Sequence, residues 1–175
     1  MGSYATSYIK STSSSATRVA DACFKTGISS LFGTNQGTFF LDFVYIGQRE
    51  SSSSFPYIFD ILNASLDRII MYGSATNTGY DTYDLWDSTN FVLGNINLYH
   101  NTRYKIAVKY SSSGIVCYLN GTLAVNSTAS FNKQMSGFYL ARRYSDTEIN
   151  SLKVNQNLLF PTAITNAELA SLTTI

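Results

Sequence analysis

The stretch 79–87, Gly-Tyr-Asp-Thr-Tyr-Asp-Leu-Trp-Asp, concentrates the chemistry of this chain. It interleaves Tyr80, Tyr83 and Trp86 with Asp81, Asp84 and Asp87 at a spacing of three. An aromatic ring covers the apolar C–H face of a pyranose and a carboxylate accepts hydrogen bonds from its hydroxyls, so this pattern can hold a sugar. Trp86 is the only tryptophan, and it falls among acids rather than in the long apolar run that usually surrounds a core tryptophan. The competing reading is a strand whose Tyr83 or Leu85 side packs inward while the acids are solvated. Asp81, Asp84 and Asp87, with Asn77 or Asn90 nearby, also offer oxygen ligands to calcium, although they lack the Asp-x-Asp-x-Asp-Gly order of an EF-hand loop. A second patch joins Tyr144, Ser145 and Asp146 to Arg142 and Arg143, where a guanidinium could fork onto the carboxylate of an acidic sugar.

Catalysis asks for more than this. A retaining glycosidase needs two carboxylates about 5 Å apart on one face. No run of the form Glu-x-Asp-x-Glu or Glu-x-Asp-x-x-Glu, which would group carboxylates along one strand, occurs in the chain. Glu50 precedes a serine run, Glu148 lies in a turn and Glu168 opens a helix. Asp42 and Asp60 stand singly within apolar strands and read as hydrogen-bonded structural residues. His100 precedes a strand without a Gly-x-Ser-x-Gly elbow in the chain and reads as a loop cap. With one His, and with Cys23 and Cys117 lacking CxxC spacing, structural zinc is excluded. Both cysteines sit in apolar strand-like runs, which predicts two buried free thiols, with a single disulfide between them as the alternative. The expectation is a non-catalytic chain with no cofactor beyond an optional calcium ion.

The whole composition narrows the partners. At 175 residues the chain has room for one domain. Its 12 Lys+Arg against 11 Asp+Glu, with no basic run, leave no electrostatic footprint for nucleic acid or an anionic membrane. Charged residues are only 13%, and Ser, Thr and Asn supply close to a third of the positions, so uncharged polarity covers the surface. Apolar stretches such as 38–46 are too short to cross a bilayer, and no membrane insertion is expected. Met1-Gly2-Ser3 reads as an expression remnant ahead of a single domain, 4–175, and the lack of an export signal then carries no information on location.

These residues must be positioned by strands. The segment 102–110 alternates Tyr104, Ile106, Val108 and Tyr110 with Arg103, Lys105, Ala107 and Lys109, the mark of a half-buried strand. A Ser113-Gly114 turn leads to 115–119, and Asn120-Gly121 supplies the two positive-φ residues of a type I′ hairpin before 122–125. Further strands are expected at 18–24, 38–46, 57–62, 66–72, 91–98, 137–142 and 151–155, with a looser one at 4–9. Segment 38–46 is apolar on both alternating sets except at Asp42, which suits a central strand covered on both sides. Serine clusters at 13–15, 51–54 and 111–113 mark loops. One helix is predicted, over 165–172, with Thr165 as N-cap and Glu168 completing a capping box. Many short strands and one helix predict an all-β sandwich of two antiparallel sheets.

Three segments resemble a known group. Tyr104-Lys-Ile-Ala-Val-Lys-Tyr110, the Ser-Gly turn and Val116-Cys-Tyr-Leu-Asn-Gly-Thr122 are similar to the central meander of laminin G-like and concanavalin A-like lectin/glucanase sandwiches. Phe138–Arg142, Ile149–Val154 and 159–169 resemble the closing strands and short helix of those domains. Thr6-Ser-Tyr-Ile9 with Thr17-Arg-Val-Ala-Asp21 is similar to the opening of such domains on phage tail and other virion proteins, departing from it at Lys10. The resemblance implies a concanavalin A-like jelly roll, used as a carbohydrate-binding or host-adhesion module of a phage tail-fibre or other virion surface protein. Its partners would be a cell-surface glycan or polysaccharide and a larger parent virion protein, and its location the virion surface or extracellular space. A homo-oligomer stays open, as do two alternatives: a ligand-free virion decoration or oligomerisation domain, and a glycoside hydrolase or lyase of the same fold.

Overall fold

A computed structural model describes residues 23–47, 57–74, 80–88, 91–142 and 151–175. The expected strand at 4–9, residues 18–22 of the strand expected at 18–24, the 1–3 remnant, the serine runs 13–15 and 51–54, and Glu50 and Glu148 lie outside the described residues. The elements are β1 (Cys23–Thr26), β2 (Gly37–Gly47), β3 (Tyr57–Leu62), β4 (Arg68–Ser74), β5 (Tyr80–Asp87), β6 (Phe91–Tyr99), β7 (Thr102–Ser111), β8 (Gly114–Leu119), β9 (Thr122–Ser127), β10 (Gly137–Leu140), β11 (Ser151–Phe160) and α1 (Asn166–Thr173). They form two antiparallel sheets, one of six strands ordered β1-β10-β3-β4-β5-β6 and one of five ordered β11-β2-β7-β8-β9. This is the all-β sandwich of two antiparallel sheets with one C-terminal helix that the strand pattern predicts, in keeping with the jelly roll that the resemblance implies.

Alternation explains how the layers meet. In β2, Phe39, Leu41, Phe43 and Tyr45 point into the space between the sheets, where they join Phe59, Ile61, Met71, Leu85, Ile106 and Val108 in the main core. The other face of β2 is covered differently. Phe40 packs with Ala107 and Leu169 of α1 in a second cluster outside the five-stranded sheet, flanked by Tyr118, Leu158 and Phe160. Helix α1 therefore caps one outer face. Two lysines of β7 reach that lid: Lys109 Nζ donates to the Ile164 carbonyl at 3.1 Å, ahead of the helix, and Lys105 Nζ to the Thr174 carbonyl at 2.8 Å, where a cation also suits the helix dipole. Thr165 and Glu168 form the expected capping box, which holds the Glu168 carboxyl below its usual range through bonds from the Thr165 side chain and backbone.

The Asn120-Gly121 hairpin is present, with φ of 48° and 79°. Asn120 does a second job there, because its Oδ1 accepts from Lys105 N at 2.8 Å. Several boundaries differ from expectation for identifiable reasons. Strand β4 begins at Arg68 rather than at 66, since Leu66 takes a φ of 62° in a turn organised by Asn63, whose Oδ1 accepts from Ser65 N and Asp67 N. Strand β10 stops at Leu140 because Ala141 turns left-handed at φ 59°. Strand β11 runs five residues past the expected 155, because an irregularity between Val154 and Gln156 resets its phase: Leu152 and Leu159 reach the main core while Leu158 and Phe160 pack under α1. Cys117 is buried, and burial pushes its thiol pKa up, but Cys23 is exposed on edge strand β1. The expectation of two buried thiols is thus corrected at Cys23, which is exposed on the outermost strand of its sheet among the described residues; both thiols are free.

Candidate functional site on the outer face of the six-stranded sheet

Strand pairing sorts the 79–87 segment into two faces. Tyr83, Leu85 and Asp87 are fully buried on the core side of β5. Tyr83 meets Tyr45 edge-on at 5.6 Å, and its hydroxyl donates to the Tyr45 hydroxyl at 2.8 Å. Tyr83 as a sugar platform and Asp87 as a ligand or metal partner are therefore corrected: both are enclosed. The calcium trio is corrected with them. A strand alternates sides every residue, so Asp84, three positions from Asp87, lies on the opposite face from it. Among the described residues no group of three metal-ligating side chains forms. Tyr80, Asp81 and Trp86 occupy β5, with Trp86 in register between Ile70 of β4 and Val92 of β6. Tyr144 and Asp146, with Arg143, lie outside the described residues.

The outer face gathers residues that the sequence keeps far apart. In one row across the sheet, Tyr57 pairs with Tyr72, Tyr72 with Asp84, and Asp84 with Asn95. The two tyrosine rings stand 6.2 Å apart. Asn95 Nδ2 donates to the Asp84 carboxylate, and one step along the strand Thr82 Oγ1 donates to Asn97 Oδ1 at 2.9 Å. Burial, with the Asp84 carboxylate beside it, pushes the Tyr72 phenol above its usual range, so it stays a neutral donor near neutral pH. Asp84 and Tyr72 are half-buried and Asn95 is exposed. An aromatic edge, a carboxylate and an amide thus share one partly wet surface, the combination a sugar's ring face and hydroxyls require.

The adjacent row runs Phe24, Tyr139, Asp60, Ile70, Trp86. Asp60 is forked by Arg68, whose Nε donates to Oδ1 at 3.1 Å and whose second nitrogen donates to Oδ2. With side-chain exposures of 8% for Arg68 and 0% for Asp60, this pair is buried scaffold rather than an open binding group. Asp42 is also structural. Arg103 forks it through Nε at 2.9 Å and a terminal nitrogen at 2.5 Å, and Asn155 Nδ2 donates to it at 2.9 Å. The Arg103 bond is the chief cause of a carboxyl held below its usual range, offset in part by burial. Both in-strand aspartates behave as the structural residues expected of them. His100 sits in the turn before β7, edge-on to Tyr45 at 5.6 Å. Tyr57, Tyr72, Asn95 and Tyr139 escape a sequence reading because only cross-strand pairing unites them; the available signal was parity, which places Tyr72 opposite the core residue Met71.

No protein-family model and no curated protein sequence matches the chain. Solved structures do share the fold. The carbohydrate-binding module CBM40 of the Ruminococcus gnavus IT-sialidase, bound to α2,3-sialyllactose, superposes with TM-score 0.53 at 12% identity over 83% of this chain and 86% of that one. Domain 4 of AbnA, an extracellular GH43 arabinanase from Geobacillus stearothermophilus, in complex with arabinotriose, gives 0.56 at 13% identity over 89% and 82%. Trypanosoma rangeli sialidase in complex with sialic acid gives 0.60 at 10% identity, where this chain spans 87% of its own length but only 27% of the sialidase. The class thereby shown is one of fold: a β-sandwich of two antiparallel sheets shared with these domains.

Proposed function

We propose that the chain is a non-catalytic carbohydrate-binding module that holds glycan on the outer face of its six-stranded sheet. The carrying observation is the row of Tyr72, Asp84 and Asn95, with Tyr57 buried beside Tyr72, on the outer face of the six-stranded sheet, the sheet on which α1 does not pack. Trp86 and Tyr80 of the same strand as Asp84 are carried into the proposal as stacking residues on the aromatic–acid pattern of 79–87. The neighbours that bind sialyllactose or arabinotriose support the reading by fold, and the ion-paired states of Asp42 and Asp60 support a non-catalytic role. We further place the module in a virion attachment protein of laminin G-like type acting at the virion surface, on the sequence resemblance at 6–9 and 17–21.

A glycan array run with and without calcium tests the reading. Tyr72→Ala, Asp84→Asn and Trp86→Ala should each weaken the best hit by roughly ten- to a hundredfold, about 1–3 kcal/mol. Unchanged binding by all three in folded protein would refute this face as the site. No binding to any glycan, with a stable oligomer in solution, would favour a decoration or oligomerisation domain. Reducing-sugar release from a bound polysaccharide would refute the non-catalytic role.

A further inference from the structure

The end of the sandwich opposite the Asn120-Gly121 hairpin carries an open hollow of about 440 Å³. It is lined by Thr34, Asn35 and Gln36 ahead of β2, Ser111 and Ser112 at the β7–β8 turn, and Asn132 between β9 and β10. That volume falls within the range of small-molecule sites, roughly 300–1,000 Å³. Every lining side chain is an uncharged hydrogen-bonding group: three amides and three hydroxyls. Lys133, which follows Asn132 in sequence, is balanced by Asp67, whose carboxylate lies 3.1 Å from its Nζ.

The segments around the hollow are held by the body of the fold rather than by their polar tips. Segment 34–36 runs between two glycines at close approaches: a Cβ on Gly33 would collide with the Pro161 carbonyl, and one on Gly37 would stand 2.7 Å from the Tyr110 hydroxyl. Phe131 N donates to the Ser111 carbonyl at 3.0 Å, which ties the segment after β9 to the β7–β8 turn, and the buried Phe131 ring meets Tyr110 edge-on at 5.8 Å. Asn and Ser in turns commonly spend their side chains on nearby backbone, as Asn63 and Asn120 do here. Thr34, Asn35, Gln36, Ser112 and Asn132 are instead exposed, and among the described residues their side chains make no hydrogen bond to protein.

We infer that this hollow is a second ligand site, separate from the outer face of the six-stranded sheet, and that it takes a single uncharged sugar unit. Each amide supplies two donors and an acceptor, and each hydroxyl supplies both, which suits neighbouring sugar hydroxyls. With no charge in the lining, a carboxylate or an amine gains no partner. With no aromatic ring in it either, recognition rests on the arrangement of hydroxyls in a site that stays partly wet. The fixed frame spares such a ligand the cost of ordering the loops.

NMR titrations that resolve individual amides test this, with D-glucose, D-galactose, D-mannose and N-acetylglucosamine as ligands and glycerol and sodium acetate as controls. At least one sugar should shift the signals of Asn35, Gln36, Ser112 and Asn132 to saturation, while glycerol and acetate leave them in place. Gln36→Ala and Asn132→Ala should each weaken that sugar roughly three- to tenfold at an unchanged melting temperature. No saturable shift, an equal response to glycerol, or affinity that survives both substitutions would overturn the inference. Shifts confined to the strands around Asp84 would also overturn it, and would leave the proposed function standing. Unchanged array binding by the sheet-face variants, beside a response in the hollow, would sink the sheet-face site and not this one.

Discussion

Gly121→Val is the most direct probe of how the hairpin and the helix lid depend on each other. Gly121 sits at φ 79°, where a residue bearing a Cβ is strained by about 1–2 kcal/mol, and more when β-branched. A Cβ there would meet Thr174 Oγ1 at 3.3 Å and little else, so backbone strain outweighs steric collision. Gly121 N also donates to Thr173 Oγ1 at 3.1 Å, and Thr173 in turn donates to the Leu169 carbonyl inside α1. Displacing the turn puts a bond of about 1 kcal/mol at risk as well. The expected loss is roughly 1–3 kcal/mol, which for a domain of this size lowers the melting temperature by about 2–4 °C per kcal/mol. Thermal melts beside urea titrations read the loss, and hydrogen exchange should show α1 amides opening more often than those of β7. Asn120→Gly is the companion: it relieves the φ of 48° but gives up the acceptor for Lys105 N, so its stability should change far less. An unchanged melting temperature for Gly121→Val would refute the turn's role, and unchanged exchange in α1 would refute the coupling.

Leu169→Ala should cost about 2–5 kcal/mol, because Leu169 is fully buried against Phe40 and Ala107; a loss under about 1 kcal/mol would mean that α1 is loosely docked. Ala141→Gly should stabilise the fold by up to about 1 kcal/mol by relieving the φ of 59°, and a lower melting temperature would argue against strain there. Acidification should destabilise the domain through Asp42 and Asp67, whose folded carboxyls lie below their usual range, chiefly through Arg103 and Asn63 respectively. The unfolded chain binds protons first, so this stabilisation is complete above the unfolded carboxylate pKa near 4 and is lost as pH falls through the lower folded values. Denaturant titrations of Asp42→Asn between pH 6 and pH 3 should give a shallower fall than wild type; parallel curves would refute Asp42's part.

Local periodicity carried most of the architecture. The alternation of 102–110, the Asn-Gly turn, the Thr165–Glu168 capping box and the two-sided apolar run of β2 each depend on neighbours a few residues away, so they are readable without the fold. Even Tyr83 and Leu85 as an inward pair was available as the competing reading of 79–87. Spacing along the chain could not show that Asp84 and Asp87 divide between two faces until that segment was known to be a strand. The proposed binding face was out of reach for a stronger reason. Tyr57, Tyr72, Asp84 and Asn95 become one row only when β3, β4, β5 and β6 pair in register, and Tyr139 reaches Asp60 only because β10 inserts between β1 and β3. Register is set by the burial of whole strand faces against the other sheet, an energy summed over both layers and encoded in no single segment. The sequence by itself determined which residues can lie in strands and where the chain must turn; the packing of the two sheets decided which of them share a surface.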